Sequence, residues 1–314
     1  MNKKAAIIAG VAIIGLLGAF ALGGKDKTPE TEVKGTEIVT VQDENGNVEV
    51  AKNPQTVITF DYGTLDILDN MGVEVAGLPK GSLPEYLSKY EDEKYSDLGS
   101  LKEPDFEAVN ALNPDLIIIS GRQIDMYDKF AEIATTVYLS VDGSDYIADF
   151  SRNLEVLGKI FDKEDFVKEN LADITAQMDE VKAMVEEKNA NALTVMVNEG
   201  NLSAFSDESR FGLIYNQLGF TNVDETIEAS NHGQQVTFEY IVEQNPEYIF
   251  VIDRGDATGG ESTAKALFDN DLIKSTDAYK NDKIVYLDSS VWYVVAGGLD
   301  STQTMIDNVK EGLK

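Results

Sequence analysis

The chain has 314 residues, more than one ordinary hydrophobic core accommodates, which predicts two lobes or domains. Its 56 acidic and 26 basic side chains give a formal charge of −30, so it repels nucleic acid and anionic surfaces, and an anionic ligand needs a local cluster of positive charge. There is no Cys and only one His, His232, which excludes disulfides, thiolate metal sites, thiol nucleophiles and His-rich zinc or manganese centres.

The N-terminus reads as a targeting segment. Lys3 and Lys4 precede an uncharged run from Ala5 to Gly24, and Ala19 and Ala21 bracket Phe20 in a small-x-small cleavage pattern. Residues 1–24 are therefore expected to be a signal peptide or membrane anchor, since the run is also long enough to span a bilayer. Residues 25–35, rich in Lys, Thr, Glu, Pro and Gly, read as a flexible linker.

Folded sequence starts near Thr36. Ile38 to Val41 and Val48 to Ala51 flank Asn45-Gly46, a hairpin signal. The run Thr56 to Phe60 reads as a strand, and Leu65, Leu68 and Met71 follow at helical spacing before Gly72. From here strands and helices alternate.

An internal repeat organises the rest. Residues 105–119 (DFEAVNALNPDLIII) match residues 237–251 (TFEYIVEQNPEYIFV) at a constant offset of 132. Each copy predicts a helix capped by Asp105 or Thr237, a stop at Pro114 or Pro246, and a strand without alternation, hence covered on both faces. Residues 67–73 and 214–220 form a second matching pair at an offset of 147, which predicts a longer loop in the second copy. Between the copies, Leu154, Leu157 and Ile160, then Leu171, Ile174, Met178, Val181 and Val185, mark one or two connecting helices. The expected organisation is an N-terminal α/β lobe at 36–150, a connecting helix region at 151–190 and a C-terminal α/β lobe at 191–314.

Only four residues are Arg: Arg122, Arg152, Arg210 and Arg254. Arg122 and Arg254 also lie 132 apart, each just beyond a buried strand of the repeat, where open α/β sheets bind ligands. The rigid guanidinium fork suits oxyanions, so both are candidates for one inter-lobe cleft, with Arg210 from the long loop as a third. His232 sits in a polar loop and Tyr293 follows the strand Lys283 to Leu287; spacing alone leaves both open between structural and ligand roles. No Gly-x-Ser-x-Gly elbow occurs, the glycines at 255–260 lack the Lys-Ser/Thr of a phosphate loop, and Asp43 to Gly46 fits a turn better than a calcium loop.

The stretches 60–63 (FDYG), 76–80 (AGLPK), 97–106 (DLGSLKEPDF), 114–120 (PDLIIIS), 250–255 (FVIDRG) and 291–293 (VWY) resemble the iron–siderophore solute-binding proteins of ABC importers, and most closely the petrobactin-type, catecholate-binding lipoproteins. The resemblance covers about Thr36 to the C-terminus. It implies an α/β fold of two Rossmann-like lobes joined by a long rigid connecting helix, in the manner of periplasmic binding proteins with a helical backbone. It implies that Arg122, Arg210 and Arg254 hold catecholate oxygens, and that His232 and Tyr293 complete iron coordination when a siderophore supplies only four oxygens. It further implies that Glu107 and Glu239, one per lobe, dock on the importer permease. The two Glu residues are also symmetric in the repeat, although helix-dipole complementarity explains acids there equally well. Where the family's signal ends in a lipid-bearing Cys, this chain has Phe20.

These readings give an exported, monomeric, non-enzymatic binder, either held on the outer face of the cytoplasmic membrane or secreted. It touches membrane only through the N-terminal segment, binds no nucleic acid, has no intrinsic cofactor and carries ferric iron as a siderophore complex. Tyr62, Trp292 and Tyr293 are expected to pack on the ligand's rings or stem. Alternatives are a binder of haem, cobalamin or a ferric hydroxamate, a secreted enzyme on the same fold, or an adhesion module.

Overall fold

A computed structural model describes residues 37–314 apart from Asp142, Asn231 and Ser262. The expected signal segment and linker lie outside the described residues. The first elements are β1 (Ile38–Asp43) and β2 (Gly46–Ala51), an antiparallel hairpin. Its turn is closed by the Asp43 carboxylate, which accepts from the N–H groups of Asn45 and Gly46 at 2.8 and 3.0 Å. The acidic residue thus closes a turn, as Asx chemistry favours.

Five parallel strands form the first sheet: β3 (Val57–Thr59), β4 (Gly77–Leu78), β5 (Ser96–Asp97), β6 (Leu116–Ile119) and β7 (Thr136–Tyr138), in the order β5-β4-β3-β6-β7. Helices α1 (Tyr62–Met71), α2 (Phe106–Leu112) and α3 (Tyr127–Ala131) connect them. Two helices, α4 (Tyr146–Phe161) and the 25-residue α5 (Glu164–Lys188), then lead to the second sheet.

That sheet contains β8 (Asn191–Asn198), β9 (Asn201–Phe205), β10 (Thr221–Asn222), β11 (Gln234–Val236), β12 (Tyr248–Asp253) and β13 (Ile284–Tyr286). Its order is β11-β9-β8-β12-β13, with β10 pairing to the start of β8. The β8-β12-β13 portion is parallel, as the repeat requires, whereas β9 and β11 are antiparallel additions. The helices here are α6 (Leu213–Asn216), α7 (Phe238–Gln244) and α8 (Arg254–Ala257), then α9 (Ala264–Phe268), α10 (Asp271–Lys274) and α11 (Asp277–Lys280), and last α12 (Leu299–Gly312).

The repeat is reproduced in detail. Asp105 accepts from Glu107 N and Ala108 N, and Thr237 from Tyr240 N, at the starts of α2 and α7. Both helices end on an Asn in the left-handed region, Asn113 at φ 46° and Asn245 at φ 40°, so the stop is set one residue before each proline. The second matched pair diverges: α1 runs ten residues, while α6 has four before the chain turns at Gly219.

Strand β6 shows why alternation is missing. Leu116 and Ile118 face one cluster, which also contains residues of α1, α4, α5 and α12, while Ile117 and Ile119 face a second with Phe60, Val109 and Phe130. In β12, Tyr248, Phe250 and Ile252 join that same central cluster and Ile249 and Val251 face away. One continuous core therefore covers one face of each sheet, and the parallel strands are buried on both sides. The C-terminal α12 returns to α1, where the buried Asp66 carboxylate accepts from Leu299 N, Asp300 N and Ser301 N at 3.1, 3.0 and 2.9 Å. This carboxylate caps the helix from 233 residues away in the chain.

Candidate ligand-binding cleft

The carboxyl ends of β3, β6 and β7, the loop after β9 and the turn after β13 surround a cavity of about 730 Å3. This is where open α/β sheets place ligands. Its walls include Arg122, Arg210, His232 and Tyr293, so four of the expected site residues are brought together.

Tyr293 is the hub. It lies in a widened helical turn over Val291–Val295, closed by Ala296 N donating to Val291 O at 3.0 Å. The Tyr293 carbonyl accepts from Arg122 Nη2 at 3.1 Å and from Arg210 Nη2 at 2.7 Å. The Tyr293 hydroxyl accepts from Arg254 Nε at 2.9 Å, and Arg254 Nη1 donates to Asn198 Oδ1 at 2.8 Å. The Arg210 guanidinium also lies over the Tyr293 ring, 4.4 Å from its centre. Arg254 reaches Tyr293 from behind and does not line the cavity itself.

Among the described residues, Arg122, Arg210 and Arg254 form no salt bridge, whereas Arg152 pairs with Glu44 and Asp149. In a chain with 56 carboxylates, three Arg residues left with neutral oxygens keep their charge for something else. Burial, then repulsion from Arg122, pushes Arg210 down to about 10, which still leaves it charged at neutral pH. Burial raises the Tyr293 phenol, but the hydrogen bond from Arg254 and the charges of Arg254, Arg210 and Lys102 outweigh this and hold it below its ordinary value.

Two glycines let these parts meet. A Cβ on Gly143 would stand 2.2 Å from Ser209 O, so the turn before α4 presses on the backbone that carries Arg210. A Cβ on Gly63 would stand 2.7 Å from both Val295 O and Ala296 O, so α1 presses on the Tyr293 turn.

Besides Arg254, which was expected to line the cleft, two expected aromatic contacts are corrected. Tyr62 and Trp292 do not line the cavity; each is 1% exposed within the central core. Tyr62 opens α1 and points inward, donating from its hydroxyl to Pro79 O at 2.9 Å, and burial pushes the phenol up to about 12. Trp292 packs under the turn and donates from its indole N–H to Asn308 Oδ1 at 3.2 Å. Glu107 and Glu239 are exposed in the first turns of α2 and α7, away from the cavity. No group of three or more His, Cys, Asp or Glu among the described residues could hold a metal ion alone.

Sequence reasoning missed two carboxylates in the walls, Asp61 and Glu208. Asp61 follows β3 and caps α1, accepting from Thr64 N at 2.8 Å. Burial holds it above the usual carboxylate range against the pull of the Thr64 N–H and Arg122. Glu208 is exposed on the loop that carries Arg210.

The profile of the periplasmic binding protein family matches residues 57–291, from β3 to the turn of Tyr293. The chain belongs to the periplasmic binding protein family. Within this periplasmic binding protein family it is 47% identical to the petrobactin-binding protein YclQ of Bacillus subtilis, over 99% of both chains. The YclQ crystal structure superposes with a TM-score of 0.86, covering 88% of this chain and 99% of that one. The periplasmic catecholate-siderophore binding protein VctP of Vibrio cholerae superposes with a TM-score of 0.84 at 35% identity, over 88% of this chain and all of that one. The ferric-anguibactin-binding protein FatB of Vibrio anguillarum is 31% identical over 87% of each chain.

Proposed function

We propose that this chain captures a ferric catecholate siderophore in the cleft at Tyr293 and presents it to an ABC importer. The observation that carries the reading is the convergence of Arg122 and Arg210 on one carbonyl oxygen, with neither paired to a carboxylate among the described residues. Catecholate oxygens bound to ferric iron are anionic and arranged in pairs, which suits two guanidinium forks. The catecholate siderophore in VctP's name supports this class of cargo, and the petrobactin and ferric anguibactin in the names of YclQ and FatB support a small ligand of the same cleft.

Arg254 acts through Tyr293 in this reading. It orients the phenol and favours the phenolate, which is a hard oxygen donor suited to ferric iron. With His232, Tyr293 completes the iron shell when a siderophore supplies four oxygens; a hexadentate complex needs only the Arg residues. The two sheets act as lobes, 36–150 and 191–314, on either side of the helical region 151–190. Glu107 and Glu239 are the docking acids for permease Arg residues. The chain works by binding alone, on the outer side of the cytoplasmic membrane, with iron only as cargo.

The test is quenching of Trp292 fluorescence on titration with ferric catecholates and, separately, a ferric hydroxamate. Trp292 is the only Trp and adjoins Tyr293, so a ferric complex in the cleft lies within quenching range of it. Saturable quenching by catecholates alone is expected. Saturation by the hydroxamate alone would transfer the cleft to that class.

A further inference from the structure

The chain that carries Tyr293 follows β13 of the second sheet, yet the polar partners of its backbone come from α1 and α4. Just past the Tyr293 turn, Gly297 N donates to the Tyr146 hydroxyl at 2.9 Å, and Leu299 N, Asp300 N and Ser301 N donate to the Asp66 carboxylate at 3.1, 3.0 and 2.9 Å. Asp66 and Tyr146 are each 1% exposed. The Tyr146 hydroxyl also meets Thr302 Oγ1 at 2.6 Å, and Thr302 Oγ1 donates to Gly298 O. The single Thr302 proton is thus committed, so Tyr146 donates to Thr302 while accepting from Gly297. Gly297 N–H, two hydroxyls and the Gly298 carbonyl form one closed relay.

A helix cap alone does not call for this arrangement. Ser, Asp or Asn in place of Gly298 would cap α12 locally. Gly298 has no side chain, and a Cβ there would stand 2.2 Å from Asp66 Oδ2. The missing side chain makes room for a carboxylate supplied by another helix. That carboxylate, with Tyr146, ties the end of the Tyr293 turn to α1 and α4. A buried network of this kind sets position sharply, because any shift leaves a buried donor without its acceptor. Neither Asp66 nor Tyr146 lines the cleft.

We propose that Asp66 and Tyr146 are positioning residues for Tyr293. Together they brace the turn over Val291–Val295 against α1 and α4, and so set where the Tyr293 carbonyl holds the Arg122 and Arg210 guanidinium groups. Ligand affinity then depends on two residues that touch no ligand. For its ligand, and only for that, the brace rests on the catecholate reading above.

The experiment titrates one hexadentate ferric catecholate by calorimetry into wild type, Tyr146→Phe, Asp66→Asn and Asp66→Ala, each alone and combined with Arg122→Ala. Thr237→Ala, which removes the cap of α7 outside this network, controls for lost stability. Tyr146→Phe and Asp66→Ala are expected to weaken the complex by about tenfold, the scale of losing a group that orients a binding residue. Asp66→Asn keeps the oxygen that serves Leu299 and Asp300 and should lose less, and with Tyr146→Phe it carries the test if Asp66→Ala does not fold. Thr237→Ala should bind as wild type despite a lower melting temperature. With Arg122→Ala, the further loss from Tyr146→Phe should shrink to about threefold or less, because one of the aligned groups is gone. Acrylamide quenching of Trp292, which adjoins Tyr293 and is 1% exposed, is measured without ligand; it should rise in Tyr146→Phe and not in Thr237→Ala. Unchanged affinity in the Tyr146 and Asp66 variants, or losses that add in full to that of Arg122→Ala, overturns the brace while leaving catecholate binding intact. If wild type binds no ferric catecholate, the cargo reading fails, and Trp292 alone decides the brace: increased quenching supports it and unchanged quenching overturns it.

Discussion

Arg122 and Arg210 donate to the same atom, the Tyr293 carbonyl oxygen, at 3.1 and 2.7 Å. One comes from the end of β6 in the first sheet and the other from the loop after β9 in the second, so a single acceptor ties the two halves of the cleft together. Each guanidinium has five N–H donors and spends one here, leaving the others for a ligand. The two like charges also repel, which is part of why Arg210 is lowered. A bound anion relieves that repulsion.

Geometry, and not charge alone, should therefore matter at these positions. Arg122→Lys and Arg210→Lys keep the charge but lose the planar fork. Each is expected to weaken a ferric catecholate by about tenfold, the scale of one charge-assisted hydrogen bond. Calorimetric titration checks this; a Lys variant that binds as wild type would show that only net charge is read.

The Tyr293 phenol should respond to Arg254. Removing the Nε donor and its charge leaves burial to dominate, so Arg254→Ala is expected to raise the Tyr293 pKa. Ultraviolet difference titration against a Tyr293→Phe control reads this directly. His232→Ala and Tyr293→Phe are expected to weaken a tetradentate ferric catecholate and to affect a hexadentate one far less. Equal losses on both complexes would remove the iron-ligand role.

Gly143→Ala should damage the cleft without removing a polar side chain. Its Cβ would overlap Ser209 O and the Arg210 backbone, so one side must move. A cost of about 1–3 kcal/mol is expected, together with weaker ligand binding as Arg210 is displaced. Thermal melting and titration of the same variant measure the two effects.

Asp66 gives a pH signature. Burial, partly opposed by the Ser301 and Asp300 N–H groups, pushes its carboxyl up to about 6. A folded-state pKa above the unfolded one means the folded chain binds more protons between about pH 4 and 6. The contribution of Asp66 to stability therefore falls as pH rises through that window, by up to about 1.4 kcal/mol per pH unit. Asp66→Asn should remove this slope. It should also destabilise the fold at every pH by about 1–3 kcal/mol, because an amide nitrogen cannot accept the Ser301 N–H. Urea melts across the window test both statements.

Much of this architecture was legible in the sequence because the repeat carries its own punctuation: Asp105 and Thr237 at helix starts, Pro114 and Pro246 one residue past the left-handed Asn that ends each helix, and strands apolar on both faces. Strands β9 and β11 were not. Both are antiparallel additions: β9 turns back from β8 at Glu199 and Gly200, both at positive φ, and β11 pairs with β9 after the long loop, where the sequence suggested a loop alone. The site was legible where residue type is scarce. Arg122 and Arg210 stand out among four Arg residues, and His232 stands alone. Asp61 and Glu208 could not be picked from 56 acids, because membership of the cavity is decided by which strand ends the topology brings together. Tyr62 and Trp292 misled for the opposite reason: aromatic residues beside a strand end serve a core as readily as a cleft, and here both serve the core.

The central claim is that Arg122 and Arg210 hold a ferric catecholate between the two sheets. Its most direct measurement is calorimetric titration of wild type and of the Arg122→Ala/Arg210→Ala double variant with one hexadentate ferric catecholate. The account predicts saturable one-to-one binding by wild type and a loss of about a hundredfold or more in the double variant at unchanged melting temperature. Equal affinity of the two proteins, or no binding by wild type, would contradict it.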